Sequence, residues 1–423
     1  MNIINNKDTL VFLTSKIPFP ASSGRKTSLY HYCRILKKIG YRIIVVSIDD
    51  ETNLNEKPEF IDEIFLLPKV SLKVKLTNLI WYSLIKNKFP MQVSIFFSKK
   101  NIEFIKNIIN KYNPTVVIAD MIRTTEYLKY ISNDIYKIAD LDDRISLRYS
   151  RQLDNDMENI NPYGAFIDKM PKIIKKIMFF NFLKVKVMKK EIKLLNKYEI
   201  EIGKSVNKVI FVAQKECEQY NNQFGEEKSY AVPIGVDVNY FNYIESNQEK
   251  ENLISFLGSL NVSHNENAVK NFVKNIFPLV KENLEDSKFI IIGGNASDEL
   301  LELSNESIIF TGRVDDVREY LLRSKVFVCP LTFGSGIKTK NLEAMALGIP
   351  VVTTQIGAEN IEAENNKDWY VASTNEEFAQ KILTILQNKD IEKRFGKNGS
   401  DFIRNNFTWN IAEKKFIELL KEI

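Results

Sequence analysis

Histidine is almost missing from this 423-residue chain, with only His31 and His264 present. Mechanisms built on a histidine pair, a histidine-lined metal centre or a Ser/His/Asp triad therefore have almost no material. Cysteine is as sparse: Cys33, Cys217 and Cys329 stand far apart, without the paired spacing of a zinc site or a disulfide framework. They are expected to be packing residues in a reducing compartment. No apolar run reaches the roughly 18 to 20 residues needed to cross a bilayer. The opening MNIINNKDTL also lacks the basic and apolar parts of a signal peptide, so a cytoplasmic location is expected. A formal charge of +5 is too small to signal nucleic acid by itself.

What is present is a globular composition, 44% apolar and 27% charged, over a length that exceeds one ordinary core. Two domains follow as the expectation. Short continuous apolar runs alternate with helical patterns throughout. In the first half the runs are Thr9–Thr14, Arg42–Ile48, Glu63–Leu67, Thr115–Asp120, Tyr136–Leu141, Lys208–Ala213 and Tyr230–Val232. Strands buried on both faces of a parallel sheet read this way. Helical patterns fall near Arg25–Ile39, Leu72–Ile85 and Asn101–Lys111. After the polar run NYIESNQEKEN, taken as a linker, a second series begins at Leu253–Gly258. It continues through a helix at Asn265–Val280, strands at Lys288–Gly294 and Ser307–Gly312, and a helix at Asp315–Leu322. Strands at Pro350–Thr354 and Asp368–Ala372 and three closing helical patterns complete it. The pattern predicts an α/β protein of two doubly wound parallel sheets. Ligands are expected beyond the carboxyl ends of the strands and in a cleft between domains.

The stretch Val326–Ala346, VFVCPLTFGSGIKTKNLEAMA, holds the densest chemistry. A strand feeds a glycine-spaced loop and then a helix, so backbone N–H groups and the positive helix end converge on an anion. Gly334, Ser335 and Gly336 let the backbone approach a phosphate closely. Lys338 and Lys340 offer charge, although two residues apart on a helix they point in different directions. Glu343, about two turns into the predicted helix, is suited to accept hydrogen bonds from vicinal ribose hydroxyls. Gly258 with Ser259 gives a second glycine approach, and Gly24 a third in the first half; neither is GxGxxG, so a dinucleotide is not expected. Asp120, at a strand end and followed by Arg123, is the candidate on the acceptor side. From Asp168 to Lys193 nine lysines face only Asp168 and Glu191, with aromatic and aliphatic residues between. Such a stretch suits either an anionic membrane surface or a core helix pair with a solvated lysine face.

The run Gly334–Ala346, with GIPVVTT and GAENI after it, resembles the donor-site signature of retaining GT-B-fold glycosyltransferases of family four, the glycosyl transferases group 1. FLGSLNVSHNENAVKNF resembles that family's first phosphate loop, TGRVDDVREYL its base-contacting segment, PIGVD its PNGVD, and IPFPASSG its acceptor-side glycine loop. The resemblance implies two Rossmann-like domains facing a central cleft: residues 1–240 for the acceptor and 241–408 for the nucleotide sugar, with the helix 409–423 packing back on the first. It implies catalytic roles for Lys338, Glu343 and Asp120. Donor contacts would come from Gly24, Gly258, Ser259, Gly312, Arg313, Val314, Gly334, Ser335, Gly336, Ile337 and Lys340. No metal or cofactor is implied, and DLDD at Asp140–Asp143 is read as turn or cap acids rather than a DxD metal motif. The partners implied are a nucleotide-sugar donor and a saccharide or lipid-linked acceptor, with peripheral membrane contact through 168–193 and no nucleic acid. The chain departs from the family in placing Ser335 where the first acid of Glu-x7-Glu stands. It also has no histidine after the fourth strand run and no Arg or Lys directly after Gly258. The first departure keeps a non-catalytic binding subunit as an alternative, and a nucleotide-sugar epimerase of the same fold is a further one.

Overall fold

A computed structural model describes residues 8–21, 24–48, 53–155, 181–244, 250–334, 336–421 and 423. The chain divides into two compact units, Met1–Pro233 with Ala412–Ile423, and Ile234–Ile411.

The first unit is built on β1 (Thr9–Thr14), β2 (Arg42–Ser47), β3 (Glu63–Leu66), β4 (Val116–Asp120), β5 (Tyr136–Asp142), β6 (Lys208–Phe211) and β7 (Ser229–Ala231). They lie in the order β3-β2-β1-β4-β5-β6-β7, each pair parallel. Leu10 to Leu13 are fully buried, because helices cover both faces and leave no polar side for alternation. Strand order reverses between β1 and β4, which opens a crevice beyond their carboxyl ends. The helix Gly24–Ile39 starts there, one loop after β1. The closing helix Trp409–Leu420 lays Phe416 edge-on against Tyr32, 4.9 Å between centroids, and Lys38 bonds Glu413 at 2.7 Å.

The second unit repeats the plan with β8 (Leu253–Leu257), β9 (Lys288–Ile292), β10 (Ile308–Gly312), β11 (Val326–Cys329), β12 (Val351–Thr354) and β13 (Tyr370–Ala372). The order β10-β9-β8-β11-β12-β13 puts its reversal between β8 and β11. The two doubly wound parallel sheets expected from the apolar runs are thus both present. The chain enters this unit at Ile234 rather than near 240. Val236 N–H donates to Phe407 O at 2.8 Å, and Tyr243 packs so closely under Gly348 that a Cβ there would meet its ring at 2.1 Å.

Helix boundaries differ from the sequence reading where the backbone changes pitch. The helix expected over Asn265–Val280 is Ser263–Asn271, a π-helical turn Phe272–Ile276, and Phe277–Asn283. Pro278 has no N–H to give the preceding turn, so a continuous ladder cannot pass it. Leu72–Ile85 likewise changes at Leu79 from α to a π-helical turn. The helix expected at Asp315–Leu322 is only Arg318–Leu321, since Asp316 folds onto Arg318 instead. Of the basic stretch 168–193, residues 168–180 lie outside the described residues, and the rest opens the helix Asn181–Gly203. Among the described residues no helix is long and apolar enough to cross a membrane.

Candidate functional site

In the second unit the loops on either side of the strand-order reversal come together. Gly258, directly after β8, donates its N–H to Ile292 O at 2.9 Å, and Leu260 N–H reaches Gly294 O at 2.9 Å. Gly293 sits at φ +150°, and a Cβ on it would fall 2.0 Å from Gly258 O, so only glycine fits between these strand ends. Gly293 N–H in turn donates to Gly312 O at 3.1 Å, tying β10 into the same rim. Arg313 follows Gly312 and is exposed, while Val314 packs against the core. Beyond β11 the chain bends through Gly334 at φ +143° and Gly336 at φ +68° into the helix Thr339–Ala346. Ile337 packs against the core below this bend. Ser335 lies outside the described residues.

Lys338 and Lys340 go to different places. Lys338 is the residue before the helix, with non-helical φ and ψ of −86° and 89°. Its buried side chain curls back so that Nζ donates to Gly336 O at 2.7 Å. Lys340, the second residue of the helix, crosses to the other loop. Its Nζ donates to Asn265 Oδ1 at 2.6 Å and lies 4.3 Å from the Phe256 ring centroid, and a Cβ on Gly258 would come within 2.9 Å of it. Asn265 completes the link by donating Nδ2 to Ser259 O at 2.9 Å. The cation missing after Gly258 in sequence is therefore supplied in space from the other loop. Asn265 and Phe256 were not singled out by sequence; the only local sign of Asn265 was its place at the start of a helix seven residues after Gly258. His264 packs edge-on against Phe333 of the second loop, 6.3 Å between centroids.

Glu343 is the fifth residue of its helix, about one turn in rather than two, because the helix begins only at Thr339. Burial pushes its carboxyl up to about 7 against the pull of Lys340, and burial brings the Lys340 ammonium down to about 8. These two shifts set a narrow window. An anion bound beside Lys340 favours the ammonium, so affinity falls as pH rises past about 8, where the free site has lost that proton. A Glu343 that accepts hydroxyl hydrogen bonds is strongest as carboxylate, so affinity climbs as pH rises through about 7. Titration calorimetry of a nucleoside diphosphate between pH 6 and 9.5 is expected to give a bell. Lys340→Met flattens the alkaline limb and Glu343→Gln the acid one. An unchanged alkaline slope in Lys340→Met would remove Lys340 from the anion.

In the first unit, Arg25 gathers the acids of two strands. Its Nε donates to Asp120 Oδ1 at 2.7 Å, Nη2 to Asp140 Oδ2 at 2.5 Å and Nη1 to Asp142 Oδ1 at 2.9 Å. Arg25 is 10% exposed and Asp120 and Asp140 are each 1% exposed. Burial pulls the guanidinium pKa down, but the three carboxylates outweigh it and hold it well above its ordinary value. Burial raises Asp140, and raises Asp142 to about 6. Asp140 and Asp142 thus belong to strand β5 and clamp a cation, which corrects their reading as turn or cap residues. Arg123, expected near Asp120, instead donates Nε to Gln92 Oε1 at 3.0 Å. Asp120 Oδ2, Thr14 Oγ1 and Ser15 Oγ, all at the carboxyl ends of β1 and β4, are buried without a hydrogen-bond partner. Gly24 begins the helix that carries Arg25, and nothing lies within 4 Å of where its Cβ would be. Among the described residues no group of three or more His, Cys, Asp or Glu is placed to hold a metal ion. The cysteines Cys33, Cys217 and Cys329 are buried and free.

Comparison with known proteins converges on the same architecture. Residues 251–388 match the glycosyl transferases group 1 family. An uncharacterized 44.6 kDa protein in the cps region of Klebsiella pneumoniae is 23% identical over 98% of this chain and 99% of its own length. An α-1,4-N-acetyl-D-galactosaminyltransferase of Campylobacter jejuni, acting on a GalNAc-containing diNAcBac-PP-undecaprenol, is 27% identical over 42% of this chain and 50% of its own. Among solved structures, the sucrose-phosphate synthase of Thermosynechococcus elongatus superposes with a TM-score of 0.70 at 13% identity, covering 98% of each chain.

Proposed function

From the match of residues 251–388 to the glycosyl transferases group 1 family and from the GT-B fold, we propose that this chain is a glycosyltransferase that moves a sugar from a nucleoside-diphosphate donor to a saccharide or lipid-linked saccharide acceptor, with retention and without a metal. The observation that carries the donor half is the Lys340 ammonium held beside Gly258, between the two glycine loops at the strand-order reversal. In this reading Gly258, Ser259 and Gly334–Ile337 cradle the diphosphate with Lys338 and Lys340, Glu343 takes the ribose hydroxyls, and Gly312, Arg313 and Val314 meet the base. The sugar C1–O bond to the β-phosphate breaks while the acceptor oxygen bonds C1 on the same face. The acceptor proton passes to the departing phosphate, so no protein base is needed. Loop N–H groups and the two lysines stabilise the charge that develops on the β-phosphate.

The crevice at Asp120 and the unpartnered Thr14 and Ser15 hydroxyls belongs to the acceptor in this reading. The cps-region relative and the undecaprenol-linked acceptor of the Campylobacter enzyme support surface-polysaccharide assembly on the inner face of the cell membrane. Contact with that membrane through 168–193 is part of the proposal. Ser335, in place of the family's first acid, favours a second reading in which the chain binds donor without turning it over. A calorimetric screen of UDP, GDP and ADP and their sugars tests both. One nucleotide is expected to bind and to be released from its sugar in the presence of an acceptor extract. Binding of none removes the donor reading, and binding without turnover in any extract establishes the second one.

A further inference from the structure

The first unit carries an apolar face that its own core does not cover. Leu72, Val74, Ile80, Trp81, Leu84 and Ile85 are all more than a third exposed, Ile85 at 58%. Six of the sixteen exposed large hydrophobic residues described thus fall within fourteen positions. Ile80, Trp81, Leu84 and Ile85 line the side of the turn Leu79–Ile85 away from the buried Leu79 and Ser83, and Leu72 and Val74 are exposed on the helix Leu72–Asn78 that leads into it. Contiguous exposed apolar surface of this kind marks an interaction site rather than chance.

Its surroundings carry one sign of charge. Between Leu67 and Glu103 the chain has Lys69, Lys73, Lys75, Lys86, Lys88, Lys99 and Lys100 and no Asp or Glu. The basic helix Asn181–Gly203 lies against this face, with Lys190 Nζ donating to Leu84 O at 2.9 Å. Its Lys186, Lys189 and Lys193 are exposed, whereas Glu191 is buried and accepts the Met91 N–H at 2.9 Å, so it offsets nothing at the surface. The rim continues into a cavity of about 320 Å³ where Lys88, Lys99 and Lys106 outnumber Glu103. Lys86 Nζ sits 4.8 Å from the Trp81 ring centroid, pairing an interfacial aromatic with a cation.

We propose that the face formed by residues 72–86, flanked by the lysines of the helix Asn181–Gly203, seats on an anionic lipid bilayer, with Ile80, Trp81, Leu84 and Ile85 entering the acyl boundary. An amphipathic element with apolar residues on one side and lysines around them lies in the plane of such an interface. This deepens the reading of a lipid-linked acceptor and moves the principal contact from 168–193 to a surface that sequence had assigned to an ordinary helix.

Sedimentation with phosphatidylglycerol-containing and pure phosphatidylcholine vesicles tests it, using the full chain and an Ile80→Ser/Trp81→Ser/Ile85→Ser variant. The wild type is expected to sediment with the anionic vesicles only, and the variant to lose partitioning by about tenfold or more. Trp369 is buried and Trp409 half-buried, so a blue shift on vesicle binding that persists in Trp409→Phe and is absent from the triple variant places Trp81 in the interface. A variant that sediments like the wild type overturns the proposal. So does retention by the variant together with release when Lys172, Lys175 and Lys176 are neutralised. A wild-type dimer made monomeric by the substitutions overturns it too, because the face then belongs to a second copy. Nucleoside-diphosphate binding measured on the same samples separates the two readings. Its loss with sedimentation intact strikes the donor assignment alone, and its persistence without sedimentation strikes the membrane face alone.

Discussion

Lys338→Ala is expected to lower turnover of the accepted nucleotide sugar by about 10²- to 10³-fold, roughly 3 to 4 kcal/mol of transition-state stabilisation. Lys338 is buried at the head of the helix Thr339–Ala346, on the loop whose Gly336 carbonyl it bonds at 2.7 Å. A cation held there gains strength from its low-dielectric surroundings and needs no reorganisation when the leaving phosphate takes up charge. Because the interaction grows as that charge develops, kcat is expected to fall more than KM rises. Lys338→Arg keeps the charge and recovers part of the rate. Lys338→Met keeps the stem and stays slow, which separates charge from packing of the loop. Turnover unchanged in Lys338→Ala for every accepted donor would falsify the phosphate role.

Arg25→Ala is expected to have the largest effect on stability, about 3 to 5 kcal/mol, because it leaves Asp120, Asp140 and Asp142 buried together without their cation. Arg25→Lys recovers little, since a single ammonium cannot span three carboxylates as a planar guanidinium does. The pH dependence has a definite sign. Asp142 is raised by burial to about 6 even with Arg25 present, so its favourable share is complete below its unfolded value and disappears as pH rises through about 6. Without Arg25 the carboxylates are pushed higher still, so the deficit against wild type grows between pH 5 and pH 8. With two units the chain need not unfold in one step, so hydrogen exchange at β4 and β5 amides in urea is the suitable measurement. Equal deficits at both pH values would show that the cluster is not held by charge.

The sheets were legible because strands covered on both faces must be apolar at every position, as in LVFL of β1 and FIII of β9. The loop Phe333–Lys340 was legible for a related reason. Glycines that permit positive φ, cations and a following helix are local features, and their chemistry is written in consecutive residues. Helix ends were less so, since Pro278 and the π-helical turns change pitch without changing apolar periodicity.

Sequence by itself therefore determined the two parallel sheets, the glycine loops at their carboxyl ends and the positions of Lys338, Lys340 and Glu343. Tertiary structure alone decided which groups meet. Arg25 reaches acids 95, 115 and 117 residues away, and Lys340 reaches Asn265 across 75. Tertiary structure also decided which apolar residues stay uncovered, since periodicity reports that a helix has an apolar side but not whether another element packs on it. Ile80, Trp81, Leu84 and Ile85 belong in sequence to an ordinary helical pattern and stand in the fold at the surface. The physical reason is common to both cases: pairing and covering depend on strand order and on the paths of distant segments, which no local spacing encodes.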